Sequence, residues 1–376
     1  MTFVFILFFL MYFLFIGLLI AGWRKAISQK LPGPEEHHHL ISIVIAARNE
    51  GSRIARLLAD IQLQSYKNYE VIVVNDHSTD NTFEQAELFA RMDARFTIIQ
   101  NAGEGKKNAL TKGIYYSKGD IIVTTDADCR VNNHWLTSIS CYFQQSDTKM
   151  VFGGVRIEGD SFFSKIQAHE FLSLIGTSAA TWAFGFPSMC NGANLAFRKT
   201  VFKEVGGYEN NLHIPSGDDE FLMHKIFRAY PSGIKFVSNR EAIVTTCPSS
   251  DLQQFLYQRI RWAGKWRHNL SITNVLLAIF IFFFHVSMML LPVAAYLGFI
   301  QPVVAASLLI WKLVFEYTVL KKIADFLIVP WNWTAFIILQ ITYPLYAVGV
   351  GLISLFLSYE WKGRKLKSFS INTVKK

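Results

Sequence analysis

The sequence predicts an α/β domain built on a mostly parallel, doubly wound sheet, set between transmembrane helices at both ends of the chain. Three observations predict it. Short, β-branched apolar runs alternate with helical periodicities through the middle of the chain. Long uncharged apolar stretches lie toward the two ends. The polar residues with chemistry collect where the strands stop, which is where such sheets bind ligands.

Thr2 to Ala21 carries no charge and is rich in Phe, Leu and Ile. About 20 apolar residues span a bilayer. Only Met1 precedes the run, so it lacks the positive leader of a cleaved signal, and it reads as an anchor over residues 1–22. Arg24, Lys25 and Lys30 follow, which places the next domain on the cytoplasmic side. Residues 23–40 form a linker, broken by Leu31-Pro32-Gly33-Pro34.

The domain is expected over residues 41–270. Ile41 to Ala47 is a buried strand. Ser52 to Gln64 is a helix, from the spacing of Ile54, Leu57, Leu58 and Ile61. Val71 to Val74, Phe96 to Ile99 and Ile121 to Thr125 are strands. Thr82 to Met92 and Lys106 to Ser117 are the helices between them. Beyond the domain, residues 271–358 hold three candidate spans, Ile272 to Leu291, Val293 to Leu313 and Trp333 to Leu357. Phe315 to Pro330 carries Glu316, Lys321, Lys322 and Asp325 and reads as interfacial or re-entrant. Three crossings after the anchor would put the basic tail, residues 359–376, outside, against the charge rule; the number of crossings stays open.

Of the 376 residues, 51% are hydrophobic and 17% charged, and the net charge is +9. The excess of positive charge sits beside apolar stretches: Arg259, Arg261, Lys265 and Arg267 before one, Lys362, Arg364, Lys365 and Lys367 after the last. That placement suits anionic lipid headgroups and argues against nucleic acid. Cys129, Cys141, Cys190 and Cys247 have no CxxC spacing and read as reduced thiols.

At the strand ends, Ala47-Arg48-Asn49-Glu50 closes the first strand. Asp76 closes the second, as a ligand for a base or ribose or as a turn residue before the next helix. Asp126 and Asp128 follow the fourth. If that segment is extended, residues two apart share a side, and two carboxylates suit a hard divalent cation that also takes phosphate oxygens. Gly103-Glu104-Gly105-Lys106-Lys107 lacks P-loop spacing, though Lys106 can reach a donor. The first strand is not followed by GxGxxG, which excludes a dinucleotide dehydrogenase. Cys190-Asn191-Gly192-Ala193-Asn194 ends or interrupts a strand, where glycine admits a substrate to the backbone or marks a bulge. Asp218, Asp219 and Glu220 precede a helical pattern, Phe221 to Tyr230, and suit a helix dipole as well as catalysis. Ser250 to Gln253 reads as a capping box, and Gln258, Arg261 and Trp262 share one helical face.

Together these residues resemble the family 2 glycosyltransferases, in their membrane-bound branch. The resemblance runs from about Ile41 to Trp266 and into the spans beyond, with Asp76, Asp126-x-Asp128, the acids at Asp218-Asp219 and Gln258-x-x-Arg261-Trp262 in family order. It implies a GT-A fold and transfer with inversion from a nucleotide-diphosphate sugar, often a UDP-sugar. Ala47, Glu50 and Asp76 would line the nucleotide; Asp126 and Asp128 would meet Mg²⁺ or Mn²⁺; Asp219 would be the general base. Gln258, Arg261 and Trp262 would close over diphosphate and acceptor. The sequence departs at Asp218, where Glu is common. The acceptor is expected to be a lipid or lipid-linked glycan at the membrane, with a processive polysaccharide synthase as the alternative. A transporter would rest on His285, Lys312 and Glu316 inside the spans.

Overall fold

The computed structural model describes residues 2–29, 39–212, 214, 216–265, 272–354, 359–361 and 364–366. Lys30, Leu31 to Pro34, Trp266, Arg267, Leu357, Lys362 and Lys367 lie outside them. The chain forms two compact units. One holds Leu19–Pro248 and Lys322–Trp331; the other holds Met1–Leu18, Ser249–Lys321 and Asn332–Lys376.

The first unit begins in the last part of helix α1 (Thr2–Ile27). It continues through β1 (Ile41–Ala47), α2 (Ile54–Gln62), β2 (Tyr69–Asn75), α3 (Thr82–Met92), β3 (Phe96–Gln100), α4 (Lys106–Tyr116) and β4 (Ile121–Thr124). Then come α5 (Trp135–Phe143), β5 (Met150–Gly153), β6 (Val155–Ile157), α6 (Phe162–Ala183), β7 (Leu195–Arg198), α7 (Lys199–Glu204), α8 (Asp218–Ala229), β8 (Ile234–Val237) and β9 (Val244–Thr246). Seven strands make one sheet in the order β3-β2-β1-β4-β7-β5-β8. The strands β1 to β4 are parallel, and β7 runs antiparallel to both neighbours.

Register explains why this end of the sheet is useful. Ala47 lies opposite Asn75, and Asn75 opposite Gln100. The carboxyl ends of β1, β2 and β3 are therefore level, and the loops after them form one rim. Strands covered on both faces read as continuous apolar runs, as β1 does. Ile54, Leu57, Leu58 and Ile61 of α2 are all buried, as their spacing requires. The expected series of elements stops at β4. Strands β5, β7 and β8 are four residues each, too short to show a period of their own.

The anchor helix runs to Ile27, past the expected start of the linker. Trp23 and Ala26 are fully buried, Trp23 with its ring 6.2 Å from Phe236 and 5.3 Å from Phe326. These contacts carry the helix into the first unit.

The second unit holds the start of α1, then α9 (Leu252–Gly264), α10 (Ile272–Tyr296), most of α11 (Pro302–Leu327), α12 (Trp333–Ile353) and a pair of short strands, β10 (Tyr359–Trp361) and β11 (Arg364–Leu366). Among the described residues four helices, α1, α10, α11 and α12, are long and apolar enough to cross a membrane. Many of their exposed side chains are large and apolar, as at Leu14, Val303, Ile310 and Ile341, the pattern expected of lipid-facing surface. Two expectations are corrected. Val293 to Tyr296 belongs to α10, and the second C-terminal helix begins at Pro302. Phe315 to Leu327 is not re-entrant: it is the second half of the continuous helix α11. Glu316 is satisfied within the helices: Lys312 lies 2.8 Å from it and Tyr12 donates to it at 2.5 Å, while Lys312 also donates to Gln340 at 2.5 Å. A closed network of this kind stabilises the bundle, and it takes up two of the three groups on which a transport reading would rest.

Candidate active site

The rim is built by backbone bonds between strand ends. The Ala47 carbonyl, at the buried end of β1, accepts the Asp76 N–H at 2.8 Å. Arg48 Nη1 donates to the carbonyls of Asp76 and His77 at 2.9 and 3.2 Å. Asn49 and His77 both take left-handed backbone conformations, at φ 52° and 56°. Such strain is tolerated where the surroundings over-determine it, often at a functional rim. Glu50 is buried with its carboxylate 3.6 Å from Arg53.

Asp76 is 2% exposed. Its Oδ1 accepts from Asn101 Nδ2 at 2.8 Å and from the Gly105 N–H at 3.1 Å. The carboxylate thus ties the 101–105 loop to β2. The turn before α3 is made by Asp80 instead, which accepts the Thr82 and Gly51 N–H groups.

Lys106, next after Gly105, opens α4. Its ammonium lies 2.7 Å from Asp126 Oδ1 and 3.1 Å from Asp218 Oδ2. Burial disfavours the charged amine, but Asp126 and Asp218 outweigh it and hold Lys106 well above its ordinary pKa. For Asp218 burial pushes up and Lys106 pulls down, leaving the carboxyl below its usual range. Asp218, Asp219 and Glu220 form the first turn of α8, after Gly217 at φ 80°, a conformation that suits glycine. Asp219 Oδ2 accepts the Gly192 N–H at 3.0 Å and Oδ1 accepts the Glu220 N–H at 2.7 Å. A Cβ at position 192 would stand 3.2 Å from Asp218 Oδ2 and 3.5 Å from Lys106 Nζ, so the missing side chain keeps this centre open.

Two local expectations change here. Cys190 to Asn194 neither ends nor interrupts a strand. Asn191 accepts the Ala193 N–H and starts a short 3₁₀ turn, Gly192–Asn194, that leads into β7. Asn194 is a scaffold residue, accepting from Trp135 and donating to the carbonyls of Gly154 and Ala242. Likewise Asp126 and Asp128 do not share a side by strand alternation. β4 ends at Thr124, and the Cys129 N–H bonds back to the Asp126 carbonyl at 3.1 Å, closing a turn. Asp126 faces Lys106, whereas Asp128 lines a cleft with Arg56, Arg130, Thr245 and Cys247.

Among the described residues no group of three or more His, Cys, Asp or Glu could hold a metal ion unaided. Asp126 and Asp128 supply carboxylate oxygens of the kind a hard cation takes beside phosphate oxygens, but Asp126 is turned to Lys106 and Asp128 to the cleft.

Gln258, Arg261 and Trp262 lie on α9, in the second unit, all half-buried. The helix is capped by Asp251, which accepts the Gln254 N–H at 2.8 Å; Ser250 only donates to that aspartate. Sequence reading missed Arg259. Its guanidinium is buried between the rings of Phe255 and Trp262, at 4.5 and 4.4 Å, and donates to Gln258. The i−4 and i+3 spacing of these rings from Arg259 was the available signal. Lys107 was missed as well: it is buried and donates to the carbonyls of Asn211 and Ile214 at 2.7 and 2.9 Å, holding the loop before α8. No spacing in the sequence announces that contact.

Residues 42–206 match the family model described as glycosyl transferase family 2. The chain is 27% identical over 214 residues to glycosyltransferase GlyG of Streptococcus pneumoniae serotype 4, covering 53% of this chain and 68% of that one. It is 27% identical over 195 residues to the poly-β-1,6-N-acetyl-D-glucosamine synthase of Staphylococcus epidermidis and 31% over 180 residues to that of Staphylococcus aureus. Those matches span less than half of each synthase, 47% and 42%. Among solved structures it is similar to the mannosyltransferase PcManGT from Pyrobaculum calidifontis, in complex with GDP-Man and Mn²⁺, with a TM-score of 0.61 at 18% identity over 90% of this chain and 94% of that one. The likeness shows a GT-A fold.

Proposed function

We propose, from the family 2 glycosyltransferase domain at residues 42–206, that this enzyme moves a sugar from a nucleotide-diphosphate donor to a lipid or lipid-linked acceptor at the cytoplasmic face of a membrane, with inversion. The donor is taken to be a UDP-sugar. One observation carries the reading: Lys106 pairs with both Asp126 and Asp218 beyond the strand ends, and the Gly192 amide that holds Asp219 lies directly beside that pair.

Inverting transfer is one displacement at the anomeric carbon. It needs a base for the acceptor hydroxyl and charge stabilisation on the departing diphosphate. Among the three acids of α8, Asp218 is neutralised by Lys106, and Glu220 is 2% exposed and faces His224 at 3.8 Å. Asp219 is half-buried, its carboxylate positioned by two amides, and it is the acid assigned to take the proton. Ala47, Glu50 and Asp76 shape the nucleotide rim. Asp126 and Asp128 would hold a Mg²⁺ or Mn²⁺, which supplies positive charge against the diphosphate. Lys106 adds a second cation there, and Gln258, Arg261 and Trp262 are assigned to the diphosphate and the acceptor.

The names of the staphylococcal relatives favour a second reading, a processive polysaccharide synthase. A panel of nucleotide sugars, offered to the purified protein in membranes, tests the activity, and sizing of radiolabelled product separates the readings. Turnover of no nucleotide sugar overturns both; a ladder of long chains overturns single transfer.

A further inference from the structure

The first unit contains a cleft of about 510 Å³ that the transfer chemistry above does not use, apart from its shared wall at Asp128. Four arginines line it, Arg56, Arg130, Arg156 and Arg240, against three acids, Asp60, Asp128 and Glu158. The acids are unevenly distributed. Asp60 takes Arg130 in a two-point contact at 2.5 and 2.7 Å. Glu158 lies 3.1 Å from Arg156, whose other nitrogens donate to Thr245 Oγ1 at 3.0 Å and the Ile328 carbonyl at 3.2 Å. Arg130 and Arg156 are therefore fixed in direction. Arg56 and Arg240 are exposed, and among the described residues neither has an ion-pair partner. Two held guanidiniums and two unpaired ones around one space make a site for an anion with several oxygens, and phosphate matches that geometry.

The remaining wall indicates what carries the phosphate. It includes Ile328, directly after α11, a helix long and apolar enough to cross a membrane. Ile328 is 54% exposed, and Arg240 lies 5.9 Å from the ring of Phe326 in the same segment. Basic residues at the end of an apolar helix attract anionic headgroups. We infer that this cleft seats the phosphate of a lipid, as the anchor of a lipid-linked acceptor whose attacked hydroxyl lies elsewhere on the molecule. The inference rests on the acceptor reading proposed above and names the acceptor's chemical class.

Cys247 lines the same cleft and is exposed, while Cys129 and Cys190 are buried. The test is maleimide labelling of Cys247 in the full-length Cys141→Ala protein in a non-ionic detergent. The probes are decyl phosphate, decanol and inorganic phosphate at equal concentrations. Decyl phosphate is expected to slow labelling at least about five-fold, with the other two having little effect. The concentration of decyl phosphate that gives half-protection should rise by at least about ten-fold in Arg56→Gln/Arg240→Gln, the scale of losing charge-assisted contacts. Both positions are exposed, so the fold tolerates the change. Absence of protection overturns the proposal. Equal protection by decanol overturns the phosphate, and equal protection by inorganic phosphate overturns the lipid. Protection that survives the double substitution overturns the arginines. Labelling does not depend on sugar transfer, so failure here is distinguishable from failure of the nucleotide-sugar panel.

Discussion

The Lys106 ammonium lies 2.7 Å from Oδ1 of Asp126, joining the start of α4 to the turn after β4. The same nitrogen reaches Asp218, so one cation holds two carboxylates from distant parts of the chain. Removing it would leave those carboxylates facing each other without compensation.

Lys106→Met is therefore expected to lower stability by about 2–4 kcal/mol at neutral pH, less than the roughly 3–5 of a fully buried pair because Asp126 is partly exposed. The sign with pH follows from the two shifts. Asp218 titrates lower in the folded protein, so its contribution is present above the unfolded carboxyl pKa of about 4 and is lost as pH falls through the folded value. Lys106 titrates higher, so its contribution is present below about 10 and is lost only as pH rises through the folded value. Thermal melts across pH should show the gap between wild type and variant wide at pH 7 and closing on the acid side. A gap independent of pH would remove the electrostatic account.

Asp219→Asn keeps an oxygen that can accept from Gly192 or Glu220 but cannot take a proton. Transfer should fall by at least about 100-fold, the lower end of what a positioned base contributes. Donor affinity, measured by calorimetry, should change little. Near-normal turnover in this variant would falsify the assignment of the base.

Chelation should stop transfer, and Asp128→Ala should abolish the response to added Mg²⁺ or Mn²⁺. Donor affinity titrated against metal provides a readout besides turnover. Full activity in excess chelator, or an unchanged metal response in the variant, counts against Asp128 as a ligand.

Ile328 sits at φ 58°. A β-branched residue is poorly suited to that region, at a cost of about 1–2 kcal/mol. Its side chain is 54% exposed, so little packing is lost on truncation. Ile328→Gly should raise the melting temperature, by an amount equivalent to about 1 kcal/mol once the entropy of glycine is set against the relief. A lower melting temperature would show that the side chain does more than its exposure indicates.

Much of this was legible in local pattern. Ile41 to Ala47 and Thr82 to Met92 match their elements residue for residue, because a buried strand and an amphipathic helix each impose a period on neighbouring residues. The Asp218 helix start and the apolar spans are likewise local properties. Where reading failed, a local rule met a non-local fact. Ile272 to Leu291 and Val293 to Leu313 read as two separate spans, yet α10 continues to Tyr296. Phe315 to Pro330, with Glu316 in it, read as re-entrant or interfacial, yet the helix runs through it and Lys312 and Tyr12 satisfy Glu316.

The sequence by itself determined the kinds of element, the rim on which the acids would stand, and the family resemblance of the motifs in order. Only the tertiary structure decided what each acid faces: Asp76 turned to Gly105, Asp126 to Lys106, Asp128 to the arginine cleft, and Asp219 to the Gly192 amide. Periodicity records which side of an element is buried. It holds no record of which remote side chain meets a given carboxylate, because packing between distant segments sets that partner.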